Sequence, residues 1–289
     1  YRRVIDKTIN SLLLNESSSR SELFIFSDGN KNEEDLEDIL KVRKHLQEIK
    51  GFKSVKIFES KDNKGLANSI INGVNKIIDK YEKVIVLEDD LIVSSDFLNY
   101  MNSALDFYEK DNKIWSISGY SPKIPSLKTY KEDLYLSPRA SSWGWATWKN
   151  TWKHYDHKFK CWNKAKLHIS KNFGAKGLNY FRIIKKKVEL GEMDSWAFRW
   201  TFSLWARQML TATPQKNLVH NIGCGEDATH TKSLNAPIQR NFLFPLTHPP
   251  KISKIQKADL YVINNHFNIS NPPKINRFLE KDYALILKK

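Results

Sequence analysis

Cysteine is nearly missing from this chain: its 289 residues include Cys161 and Cys224 and no others. Two thiols so far apart cannot frame a small disulfide-stapled scaffold, and their spacing fits no zinc motif, so both are read as reduced, buried thiols. Long apolar runs are missing too. No stretch approaches the ~20 residues needed to cross a bilayer as a helix, and none has the order of a signal peptide. The expected location is cytoplasmic, with peripheral contact at the inner face of a membrane as its extension. No internal repeat, zinc-finger spacing or RNP-type motif is found, so nucleic acid is not expected as a partner despite the basic composition. Asn15-Glu16-Ser17 and Asn268-Ile269-Ser270 are formal glycosylation sequons of the kind that occur by chance.

What is present is unevenly spread. The first 150 residues carry 23 Lys and Arg against 23 Asp and Glu, whereas residues 151–289 carry 24 against 9 and hold the entire net charge of +15. Either that half has an ordinary solvated lysine-rich surface, or it faces an anionic partner such as a membrane, a lipid diphosphate or an acidic glycan. In the second reading Lys185-Lys186-Lys187, on an expected helix, is part of such a patch. Tryptophan is equally localised: all nine lie between 115 and 205. Trp148, Trp152, Trp200 and Trp205 recur at helical spacing and read as core. Trp143-Gly144-Trp145 reads differently, because glycine lets a backbone approach a ligand and aromatic faces stack on sugar rings.

Periodicity gives the fold class. Residues 21–27 read as a strand ending in Asp28-Gly29, 32–49 as an amphipathic helix, and 52–58 as a second strand. Asn63-Lys64-Gly65 opens a helix running to about residue 80. Val84-Ile85-Val86-Leu87 has the pattern of a strand covered on both faces in a mostly parallel sheet. Ser94-Ser95-Asp96 caps a helix over 97–108, and 113–118 is a further strand. This is an α/β, Rossmann-like alternation, whose ligands sit at the carboxyl ends of the strands.

At that edge the buried run stops in Glu88-Asp89-Asp90. Three adjacent acids repel one another and invite a cation. Their hard oxygens suit Mg²⁺ or Mn²⁺ shared with substrate phosphates. A solvated turn is the plain alternative.

The ordered set Ser27-Asp28-Gly29, Asn63-Lys64-Gly65, Glu88-Asp89-Asp90, Asp96-Phe97, Trp143-Gly144-Trp145 and Met193-Asp194-Ser195-Trp196 resembles glycosyltransferases of the GT-A fold. Within that fold it is most similar to N-acetylglucosaminyltransferase I and its bacterial relatives, over about residues 20–235. The resemblance implies a metal-dependent, inverting transfer from a nucleotide sugar, a UDP-sugar by preference, to a glycan or lipid-linked acceptor in polysaccharide synthesis. It implies Asp90 as metal ligand, with Asp89 and Glu88 toward the ribose and nucleotide, Asp28 toward the base, and Asn63, Lys64 and Gly65 beside it. Trp143, Gly144 and Trp145 would floor the donor-sugar pocket.

The resemblance makes Asp194, among apolar neighbours, the candidate general base, with Glu192 as fallback; capping of the following helix is its structural alternative. His230, in the glycine-bearing segment 220–230, would ligate the metal or touch the diphosphate, and residues 223–240 would close over bound donor. A GT-A domain opens with a strand whose end meets the nucleotide, whereas the residues from Tyr1 already enter a helix; Arg2 or Arg3 is the candidate phosphate contact. Residues 1–120 are expected to form the nucleotide-sugar half, 121–245 the acceptor and catalytic half, and 246–289 a basic extension. The competing readings are a nucleotidyltransferase, which would want a glycine-rich pyrophosphate loop, and a carbohydrate-binding protein without catalysis.

Overall fold

The computed structural model describes residues 2–223, 238, 242–265, 267 and 269. In chain order the elements are α1 (Arg2–Leu13), β1 (Glu22–Ser27), α2 (Leu36–Leu46), β2 (Ser54–Glu59), α3 (Leu66–Tyr81), β3 (Lys83–Val86), β4 (Leu91–Val93), α4 (Phe97–Tyr108) and β5 (Ile114–Ser118). They continue with β6 (Leu134–Ser137), β7 (Trp145–Trp148), α5 (Lys149–Trp152), α6 (Trp162–Glu189), α7 (Trp196–Arg207), β8 (Leu210–Pro214), β9 (Val219–Asn221) and α8 (Gln256–Asn265). Among the described residues no helix is long and apolar enough to cross a membrane.

The chain is α/β, but its central sheet is mixed and not mostly parallel. Five strands lie in the order β3-β7-β5-β8-β6. Only β5 and β8 pair in parallel there; β7 runs antiparallel to both β3 and β5, and β6 antiparallel to β8. The cause is the length of the connections. Parallel neighbours need a crossover of a dozen or more residues, usually helical. Helix α2 supplies one between the parallel pair β1 and β2, and α6 with α7 precede β8. Between β5 and β7 the only helical piece is a turn at Pro125–Leu127, so β6 and β7 enter as antiparallel strands.

Both faces of β3 are covered, as its sequence implies. Val84 and Val86 pack with Ala67, Val74 and Ile78 of α3 and with a tryptophan cluster. Ile85 and Leu87 pack on the opposite side with Phe97, Met101 and Ile117. Even so, β3 ends the hydrogen-bonded order and its four residues are only part-buried. The helical-period tryptophans are core: Trp148, Trp152, Trp200 and Trp205 are all buried. Helix α6 is broken at Gly174, which adopts φ 67° and ψ −169°, and it packs along α7.

Helix α1 has a role its composition concealed. Thr8 and Ser11 are three apart and share one face of the helix, and Asn15 just beyond its end continues the row by donating to the Ser11 carbonyl; all three are buried. The Thr8 hydroxyl donates to the carbonyl of Asp89 (2.6 Å), Ser11 Oγ accepts the N–H of Val93 (3.0 Å), and Asn15 Oδ1 accepts the N–H of Leu98 (2.8 Å). One polar stripe thus holds the backbone from the acid turn through β4 to the start of α4. Asn15 is also unavailable as a glycan acceptor. The side chains of Arg2 and Arg3 lie outside the described residues, as do Asn268, Cys224, His230 and most of the 223–240 segment.

Candidate active site

The site begins where β3 stops. Glu88 follows the strand, Asp89 and Asp90 form the turn, and β4 starts at Leu91. Pairing of β4 with β9 carries Ile222 and Gly223 alongside: the Ile222 N–H donates to the Asp90 carbonyl at 2.8 Å. Gly223 lies directly on the acid. A β-carbon built there would stand 2.2 Å from Asp90 Oδ2, so only glycine leaves that carboxylate its place.

Glu88 carries an electrostatic cost. Burial, then the neighbouring Asp90 charge, push its carboxyl up to about 7. The Trp196 indole N–H, donating to Glu88 Oε1 at 3.4 Å, opposes that rise. Trp196 itself is stacked on Trp145, with centroids 4.7 Å apart.

The second loop is gripped by Asp28. Its carboxylate accepts the backbone N–H of Gly29 (3.0 Å), of Lys64 (2.9 Å) and of Gly65 (3.0 Å). Asn63 Nδ2 donates back to the Gly29 carbonyl at 2.9 Å. Sequence placed Asp28 and Asn63-Lys64-Gly65 side by side, and they are side by side. What the structure adds is that the Asp28 carboxylate braces the loop through its amides.

Asp194 is brought to the same loop from 127 positions away. Its Oδ2 accepts the Ala67 N–H at 3.2 Å, and a β-carbon on Gly65 (φ +77°) would meet it at 2.9 Å. Helix α3 has no side-chain cap of its own, because its cap residue is Gly65. Asp194 supplies that cap from outside, where the positive end of the helix dipole favours a carboxylate. Two expectations are therefore corrected. Asp194 is exposed, not enclosed by apolar neighbours. It also caps α3, while the cap of α7 is Ser195, whose Oγ accepts the Phe198 N–H. Glu192, the fallback, is exposed on the same turn. Asp96 likewise departs from its expected cap: its carboxylate accepts the N–H of Phe242.

The Trp143-Gly144-Trp145 trio divides. Trp145 is fully buried in β7, so its ring has no free face for a sugar; it backs Trp196 instead. Gly144 (φ +60°) faces apolar atoms, and a β-carbon there would stand 3.0 Å from Phe97 and Val219 and 3.2 Å from Leu87. Close packing of the core, not of a ligand, requires that glycine. Trp143 alone remains part-buried; it meets Tyr120 edge-on and lines a cavity.

The described residues hold no cage of three or more His, Cys, Asp or Glu side chains for a metal. Asp90 nevertheless fits a shared hard cation. It is a hard oxygen donor, and Gly223 keeps the space at its Oδ2 clear of a side chain. Magnesium-like ions are often held by one or two carboxylates, with water and substrate phosphates completing the shell. His230, proposed as a further ligand, lies outside the described residues.

Contacts, and the short step in the chain from Asp194 to Trp196, thus join Asp28, residues 63–67, Asp194, Trp196, Glu88, Asp90 and Gly223 into one continuous rim. Sequence reasoning missed Thr8, Gly223 as the neighbour of Asp90, and Trp196 as the partner of Glu88. The regular polar spacing of α1 was the one signal available.

Comparison with known proteins gives the family of the chain. The model of the GNT-I family matches residues 3–166. An Arabidopsis thaliana alpha-1,3-mannosyl-glycoprotein 2-beta-N-acetylglucosaminyltransferase is 30% identical over 89 residues, which are 30% of this chain and 19% of that protein. The chain thus matches about a fifth of the length of that curated relative. Among solved structures, the crystal structure of GalNAc-T7 with UDP, GalNAc and Mn²⁺ superposes with a TM-score of 0.46 at 12% identity, covering 96% of this chain and 52% of that one. With the family model matching more than half of its length, this chain belongs to the GNT-I family.

Proposed function

We propose that the chain is a metal-dependent glycosyltransferase of the GT-A type, moving a sugar from a nucleotide sugar, UDP-linked by preference, to a glycan or lipid-linked saccharide. The observation that carries this reading is the continuous rim: the acid turn, the Asp28-braced loop and Asp194 arrive from separate parts of the chain and adjoin one another. A carbohydrate-binding protein without catalysis has no need of that gathering of acids.

In this reading Asp90 holds a Mn²⁺ or Mg²⁺ ion, which when bound neutralises charge on the departing diphosphate. Glu88 and Asp89 face the ribose and nucleotide. Asp28 keeps residues 63–65 in the shape that receives the base. Asp194 accepts the proton of the attacking acceptor hydroxyl, and attack opposite the leaving group inverts the anomeric centre.

The halves 1–120 and 121–245 then correspond to the donor and acceptor sides; of the basic segment 246–289, Leu246, Ala258 and Val262 pack into the body of the protein. The exposed basic face of α6, including Lys164, Lys171, Lys176, Arg182 and Lys186, suits an anionic surface at the inner face of a membrane.

Incubation of the chain with a panel of UDP-sugars, with Mn²⁺ or with EDTA, tests the activity. Release of UDP from one donor, dependent on metal and accelerated by a saccharide acceptor, is the expected result. Metal-independent release, or none from any nucleotide sugar, would count against it.

A further inference from the structure

We propose that the cavity beside Ser195 is the acceptor subsite and that it takes a saccharide bearing a negative charge. This rests on the transferase reading and names the acceptor class of the same site. The cavity has a volume of about 310 Å³, at the small end of ordinary ligand sites. Its position follows from a single step in the chain. Asp194 turns its carboxylate to the 63–67 loop, while the next residue, Ser195, lines the cavity. A saccharide held there lies against the residue that follows the proposed base in the chain.

The walls specify chemistry. Trp143 is fixed from its edge by Tyr120, with centroids 4.6 Å apart at 70°, and offers an aromatic wall to a sugar ring. Ser141, Ser195 and Thr201 add hydroxyls, and among the described residues none in the lining is acidic.

Among the described residues of the lining, Arg139 is the one cation. The end of β6 sets it there, its N–H donating to Ser137 Oγ at 3.2 Å. Among the described residues no carboxylate lies within ion-pair distance of its guanidinium. Asp259 is close enough to be influenced by its charge, yet Asp259 is buried outside the lining and accepts the Ser137 hydroxyl at 2.8 Å.

A guanidinium presents a planar fork of donors that matches a carboxylate or a phosphate two bonds at a time. A neutral hexose offers no such partner. The excess of cations in residues 151–289 also favours the approach of an anionic glycan.

Three probes separate the possibilities by saturation-transfer NMR on the full chain at millimolar concentration: methyl β-D-glucuronide, glucose 6-phosphate and neutral methyl β-D-glucoside. At least one anionic probe should bind about tenfold or more tightly than the glucoside, a difference of ~1.4 kcal/mol. Which one does so distinguishes a carboxylated acceptor from a phosphorylated one. Arg139→Gln should abolish the preference, and Arg139→Lys should keep part of it, each read as the ratio of anionic-probe to glucoside affinity. Near-UV circular dichroism of the buried tryptophans checks folding. Should the Gln variant not fold, the Lys variant decides, by a selective weakening of the anionic probe.

Equal binding of all three probes, no binding of any, or a preference that survives Arg139→Gln would overturn the proposal. UDP binding with Mn²⁺ is measured in parallel. If it is intact while no anionic preference exists, only this inference fails. An Arg139-dependent preference without metal-dependent UDP binding would instead leave a saccharide site and remove the transferase reading.

Discussion

Two sets of glycines in this molecule sit against very different neighbours. Gly65 and Gly223 touch carboxylate oxygens, of Asp194 and Asp90 respectively, whereas Gly119 and Gly144 touch Phe97 and Val219. Along the rim, the missing side chain leaves space for an acid and whatever the acid binds. Beneath it, the missing side chain lets β5 and β7 close onto α4. Sequence alone treats these glycines alike. What separates them is the partner that the fold delivers, and so the rim should fail by losing chemistry and the floor by losing stability.

The largest effect expected at the rim is on rate. Asp194→Asn keeps an oxygen for the Ala67 N–H but cannot take a proton, so turnover should fall by ~10²–10⁴ while urea stability changes little. Asp194→Ala should lose the cap as well, at about 1 kcal/mol. Near-normal turnover in the Asn variant would leave Asp194 as a cap of α3 only. At the floor, Trp145→Ala should cost about 3–5 kcal/mol in urea unfolding, since the ring is fully buried and stacked on Trp196. A cost near zero would mean that the layer behind Glu88 is not a packed support.

Asp259 sharpens the contrast, being a carboxylate buried away from the rim. Burial pushes its carboxyl up to about 6, against an ordinary value of 3.8. The folded state therefore binds that proton more tightly than the unfolded chain does. Its contribution is fully present below about pH 4 and is lost as pH rises through 6, on the order of 2–3 kcal/mol in all. The wild-type curve minus that of Asp259→Asn should show this decline between pH 4 and 6 and be flat above. A flat difference throughout would show that Asp259 is solvated.

The glycines give the smallest and most direct comparison. Gly223→Ala should weaken metal-dependent UDP binding by roughly tenfold, by displacing Asp90, with stability within ~0.5 kcal/mol. Gly144→Ala should do the reverse, costing ~1–3 kcal/mol through its left-handed backbone and its contacts with Phe97 and Val219. Identical outcomes for the two would dissolve the distinction.

Local order was readable from the chain, and long-range direction was not. The strands at 22–27 and 54–59, the helix opening after Gly65 and the acid turn after β3 all follow from period, turn residues and an apolar run that stops. The antiparallel entry of β6 and β7 did not show, because a short strand carries no mark of its direction. The missing crossover helix between residues 118 and 145 was the usable clue.

For the site, residue types and grouping were legible, but the roles shifted with geometry. Asp194 reads as a cap for the helix next to it, yet the helix it caps is α3, brought close only by tertiary packing. Gly144 reads as a place for a ligand until Phe97 and Val219 are found against it. The α1 stripe of Thr8, Ser11 and Asn15 went unread because small polar residues at helical spacing look like an ordinary solvent face.

The central claim is that Asp90 holds a metal through which nucleotide is bound. Titration calorimetry of UDP into the wild-type chain and into Asp90→Asn, each with Mn²⁺ and with EDTA, tests it directly. Binding by the wild type with Mn²⁺, lost both in EDTA and in the folded variant, is the predicted result. Equal affinity in EDTA, or wild-type affinity in Asp90→Asn with Mn²⁺ present, would contradict it.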